Sequence, residues 1–229
     1  MTRGWSLRAL ALLAATLALG GCNLVVSERP VFTAADAVGA PSLRAGVWSA
    51  SQPGCDFKAS DPVADWPKCA GGGVITPTAI MASVDPNSPG SPDQPPATIA
   101  KPQMTIPYVL AAGDPRVMQI NVKLPPEAGS LSALFYFAAL KPVARDADGR
   151  IVQAEVWPIQ CGPPPPAKPA SAGADADQSG VTDHPLPGLK VADGMCTPTD
   201  KAAVQNAAKA SRAWAGQTGT LRWVRDGVK

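Results

Sequence analysis

The chain is poor in the residues that do chemistry. It holds one histidine, His184, in 229 residues, set in Thr-Asp-His-Pro-Leu-Pro where no scaffold fixes it. A nucleophile needs a base held within hydrogen-bond reach, and neither Gly-x-Ser-x-Gly nor His-Glu-x-x-His occurs. Asp183 beside His184 reads as a solvated pair in a loop. The sequence therefore predicts no catalytic residue, no cofactor and no metal, and a protein that is not an enzyme. Charge of one sign is lacking too. Removing the first 21 residues, whose only charges are Arg3 and Arg8, lowers Lys plus Arg from 20 to 18 and leaves Asp plus Glu at 18. Such a neutral chain without a basic run offers no field for nucleic acid. Aromatics make up only 5%, although six of them are Trp.

A membrane-spanning run is missing from the start of the chain. The apolar stretch Ala9–Leu19 has 11 residues, interrupted by Thr16, well under the roughly 20 needed to cross a bilayer as a helix. It follows Arg3 and Arg8 and runs into small residues, which is the layout of a secretory signal. Its end, Leu19-Gly20-Gly21-Cys22, resembles the lipobox of bacterial lipoproteins. That resemblance covers residues 1–22 alone. It implies a diacylglyceryl group on the Cys22 thiol, cleavage before Cys22 and, in many species, acylation of the new amino group. Two acyl chains suffice for stable anchoring. Asn23 stands where, in enteric lipoproteins, Asp favours the inner membrane, so the resemblance implies the periplasmic face of the outer membrane.

Proline (26) and glycine (21) together take about a fifth of the chain, against about 12% in ordinary usage. This excludes long helices and favours short strands joined by turns. Four cysteines follow the anchor: Cys55, Cys69, Cys161 and Cys196. An even number in an exported chain reads as two disulfides. Three pairings are possible; Cys55 with Cys69 and Cys161 with Cys196 is preferred, because each pair brackets a Pro- or Gly-rich loop. None has a cysteine neighbour at zinc-ligand spacing. Asp146, Asp148, Gly149 and Glu155 partly match a calcium loop, but Ala144 falls at the first ligand position and turn chemistry explains them better.

Periodicity places a strand at Leu43–Ser49, with Trp48 on the face opposite Leu43, Ala45 and Val47, and another between Val74 and Val84, bent or edged by Pro77. Tyr108–Ala112 and Val117–Val122 flank the turn Gly113-Asp114-Pro115. Leu131–Val143 and Ile151–Ile159 form the best hairpin, turned by Asp148-Gly149. A helix is predicted to start at Thr197, with Pro198 at its first position, and to run through Ala202–Ala215 to Gly216. Thr220–Val224 closes the chain as a strand. Trp66-Pro67 and Trp157-Pro158 each precede a cysteine, a packing device.

The predicted fold is mainly β (α+β): an antiparallel sheet, sandwich or partly open barrel with one C-terminal helix and long Pro-rich loops. The expected division is a signal peptide 1–21, a lipid-anchored tether 22–41 and a single disulfide-stapled domain 42–229 with loose segments 85–103 and 162–187. A split at the proline tract Pro163–Pro166 is the runner-up. The expected role is a membrane-anchored envelope module that binds an envelope protein or wall component without catalysis. The alternative is a periplasmic enzyme or a binder of sugars or peptides, with exposed Trp48 or Trp66 stacking on a ring.

Overall fold

Eight strands close into an antiparallel barrel, and one helix packs on its outer wall. The computed structural model describes residues 23–50, 54–67, 69–82, 104–124, 133–164, 180–214 and 218–227. The expected signal peptide 1–21, Cys22, the segment 85–103 and the middle of the second loose segment lie outside the described residues.

The barrel strands are β2 (Gly46–Ser49), β3 (Gly72–Ile75), β4 (Ala79–Ala82), β5 (Met104–Ala111), β6 (Arg116–Lys123), β7 (Ala133–Arg145) and β8 (Ile151–Pro158). Each pairs antiparallel with the next. The last strand, β11 (Gly219–Arg225), fits between β8 and β2 and completes the ring. Among the described residues, three further strands lie outside it. β1 (Val26–Ser27) pairs with β7, and β9 (Leu189–Ala192) forms a hairpin with β10 (Met195–Pro198).

Alternation along the strands assigns the two faces. Trp48, Ile75, Tyr108, Leu110, Met118, Leu140, Ile151 and Ala154 fill the interior, joined by Leu43. The intervening residues Val117, Phe137, Ala139 and Trp157 face outward and are covered by α1 (Lys201–Ser211) through Ala203, Val204, Ala207 and Ala208. This double coverage explains why the arms of β7 and β8 are apolar on both faces. The alanines allow close approach of helix and sheet, and the Trp157 indole N–H donates to the Ala208 carbonyl at 2.9 Å. Loop 54–70 covers a second outer patch, where Trp66 and Ala70 bury Val47 and Phe57 lies 4.5 Å from the Trp66 ring.

Glycine is required where elements approach closely. A Cβ on Gly46 would collide with the Arg225 carbonyl, and one on Gly72 would stand 2.6 Å from Val63 Cγ1 and 2.9 Å from the Trp66 ring. The strand expected between Val74 and Val84 is a hairpin of two strands broken at Pro77. The helix begins later than expected. Pro198 ends β10, and Asp200 is the N-cap, accepting from the Ala203 N–H at 2.8 Å. Thr197 and Pro198 pair with Lys190 and Leu189 in this hairpin, so they cannot open a helix.

Candidate functional site

The described chain starts inside the fold. Asn23 is 7% exposed, and Val25 is fully buried in the main core. The Asn23 amide nitrogen donates to the Gly162 carbonyl at 2.9 Å, its amide oxygen accepts from the Thr182 N–H at 3.2 Å, and its backbone carbonyl accepts from the Cys161 N–H at 2.7 Å. Each group of this buried amide therefore has a partner, as burial demands. Leu24 bridges Gln160 and Val25 bridges Cys196. Further on, Gln119 on the outer face of β6 fixes the same segment. Its oxygen accepts from the Val31 and Phe32 N–H groups at 2.7 and 2.8 Å, and its nitrogen donates to the Phe32 carbonyl at 2.9 Å. Asp36, in the short 3-10 turn Ala34–Ala37, pairs with Lys201 of α1 at 2.5 Å. The Lys201 hydrogen bond, with those from Thr33, holds the Asp36 carboxyl below the ordinary range.

Among the described residues, one charged side chain is buried in the barrel. Arg116 points inward, 4% exposed, and gives hydrogen bonds to the Leu110 and Ala111 carbonyls at 2.7 and 3.2 Å. Among the described residues its Nη1 has no hydrogen-bond partner. No carboxylate among the described residues forms an ion pair with it. Burial first, and then Arg145, pushes its pKa down. A cavity of about 190 Å³ runs past Arg116, Tyr108, Leu43 and Thr78. The Tyr108 hydroxyl donates to the Thr76 carbonyl at 2.8 Å, and burial raises its pKa to about 12. A wider groove of about 570 Å³ lies between residues 27–31 and 197–201.

The residues singled out in the sequence fall in separate places. Disulfides join Cys55 to Cys69 and Cys161 to Cys196, the preferred pairing, and Cys22 lies outside the described residues. His184 and Asp183 are exposed; the His184 backbone N–H donates to Thr182 Oγ1 at 3.2 Å. The acidic residues near the β7–β8 turn face arginines. Asp146 binds Arg150 at 2.9 Å, Asp148 binds Arg150 at 2.5 Å, and Glu155 binds Arg212 at 3.3 Å. Among the described residues no group of three His, Cys, Asp or Glu is placed to hold a metal ion, and no helix is long and apolar enough to cross a membrane.

The expected exposed tryptophans are a correction. Trp48 is 2% exposed and its indole N–H donates to the Arg44 carbonyl at 2.8 Å; Trp66 is 8% exposed and donates to the Asp61 carbonyl at 3.1 Å. Barrel closure turns Trp48 inward and loop 54–70 wraps Trp66, so neither offers a stacking face. From the sequence, Arg116 and Gln119 have no role, and Asn23 has only that of the sorting residue after Cys22. For Arg116 the alternation of β6 was a usable signal, since it shares a face with Met118 and Ile120; for Asn23 and Gln119 none existed.

No protein family, curated protein or solved structure matches the chain.

Proposed function

We propose that the protein is a lipid-anchored envelope lipoprotein, held through acyl groups on Cys22 at the periplasmic face of the outer membrane, and that its barrel is a non-enzymatic module binding an envelope protein or wall component. One observation carries the reading. The lipobox-like Leu19-Gly20-Gly21-Cys22 ends one residue before Asn23, which is already bonded into the fold. The two disulfides suit an oxidising compartment.

The test is membrane flotation of the full chain against a Cys22→Ser variant. Parent protein labelled with palmitate should float with vesicles, and the variant should lose both label and flotation. A variant that still floats with its label would overturn the anchor. In-cell crosslinking should then recover a reproducible envelope partner.

A second reading, a small-ligand binder, draws on Arg116 and its 190 Å³ cavity. A buried cation without a counter-charge among the described residues carries a desolvation cost that an anion offsets, so a carboxylate is the fitting chemistry. Saturable shifts of the Leu110 and Arg116 amide signals on adding acetate would support it, and unchanged spectra would remove it.

A further inference from the structure

We infer that the domain is held directly at the lipid surface, with the surface around Asn23, Gly162 and Thr182 nearest to it and no flexible leash between anchor and fold. This rests on lipid attachment at Cys22. If residues 23–41 were free coil, they would let the domain wander about 25 Å from its anchor, from the usual 5–6 Å × √n spread. They are not free. Asn23 is fixed by three hydrogen bonds, to Gly162, Thr182 and Cys161, and Val25 N–H donates to the Ile159 carbonyl at 2.9 Å. Cys22 is one Cα–Cα step of about 3.8 Å from Asn23. Acyl chains attached there must enter the bilayer beside the residues that hold Asn23.

The topology says which surface this is. β1 runs along β7, with Val26 opposite Tyr136, at the place where β8 has ended at Pro158 and the chain bends away through Gln160. In the ring order β7-β6-β5-β4-β3-β2-β11-β8, strands β3 and β4 lie diametrically opposite. The anchor thus leaves beside β7 and beyond the end of β8, across the ring from β3 and β4. The near surface includes Pro163, Pro164, Asp183, His184 and Pro185, all exposed, and residues 159–164 and 180–189 contain no Lys or Arg. Contact is imposed by the covalent anchor, so added salt should not release it.

The experiment uses the full acylated chain reconstituted in phosphatidylcholine vesicles carrying a headgroup nitroxide. A fluorophore is placed on Asp183→Cys or on Thr78→Cys, both exposed, the second in the β3–β4 turn on the far wall. Quenching is expected to be several-fold stronger at position 183 than at position 78, and unchanged by salt. Inserting a long Gly-Ser segment between Cys22 and Asn23 should bring the two positions towards equality. Amide exchange of the unsubstituted chain is an independent check: residues 180–188 should slow on vesicles relative to detergent, and residues 76–80 should not. Equal quenching at both positions in protein whose mass includes the acyl groups overturns this inference and leaves lipid attachment standing. Protein whose mass lacks them removes both.

Discussion

The two disulfides staple very different surroundings. Cys161 and Cys196 are 0% exposed and belong to the main core with Val25, Phe32, Trp157 and Leu189, where Cys196 also bridges the incoming Val25. Cys55 and Cys69 are half-buried and fasten a loop whose reach ends at Val47, Val63 and Trp66. Their sequence separations are 35 and 14. Loop-closure entropy alone makes the longer bridge worth only about 0.8 kcal/mol more. Any larger difference between them must come from packing. The comparison teaches that the bridge near the chain's entry point organises the fold, whereas the other secures a cover.

The largest effect is expected from Cys161→Ala with Cys196→Ala. Guanidinium unfolding should show a loss of about 4–5 kcal/mol, the upper end for a native bridge, with faster amide exchange spreading through β9, β10 and residues 23–26. Trp157→Ala, in the same core, should cost about 3–5 kcal/mol as a cavity-forming truncation, and the exchange of α1 should rise with it. Cys55→Ala with Cys69→Ala should cost about 2–3 kcal/mol, with faster exchange confined to residues 54–70. Equal losses and equally wide exchange for the two pairs would break the comparison.

Asn23→Asp should cost about 1–3 kcal/mol, the range for leaving a buried polar group unpaired, because a carboxylate cannot donate to the Gly162 carbonyl. Its effect should appear at Gly162 and Thr182 and not in the 54–70 loop. Acid is the gentlest probe. At Asp146, desolvation pulls the pKa up, but hydrogen bonds from Arg150 and the Asp148 N–H outweigh it and leave the carboxyl below its ordinary 3.8. Asp36 is lowered mainly by Lys201. A carboxylate depressed in the folded state contributes fully above its unfolded pKa, and that contribution fades as pH falls through the folded value. Below about pH 3.8 the β7–β8 turn and the Asp36–Lys201 contact should therefore loosen. NMR titration reads this directly, and Asp146→Asn should abolish the acid response of the turn.

Local signals made the hairpins legible. Gly149, with φ +79°, turns β7 into β8 after Asp148 as its sequence suggests, and Gly113-Asp114-Pro115 separates β5 from β6. Closure was not legible. Alternation shows that Thr220–Val224 is a strand, but not that Leu221 meets Ala154 on one side while Trp223 meets Trp48 on the other. The same gap left Trp48 facing the wrong way, since a strand's two faces cannot be ranked until its partners are known. The β9–β10 hairpin was missed although Asp193-Gly194 marks its turn; the surrounding prolines masked it. Asn23 reads as the first residue of a tether because its partner at Gly162 is 139 residues away. Order at Asn23 is a tertiary fact.

The central claim is that lipid on Cys22 is followed at once by folded chain. Intact-mass and N-terminal peptide analysis of the protein purified from membranes tests it most directly. The expected product is diacylglyceryl-modified Cys22 continuing into Asn23 and Leu24. A product retaining residues 1–21, or starting elsewhere with an unmodified Cys22, would contradict it.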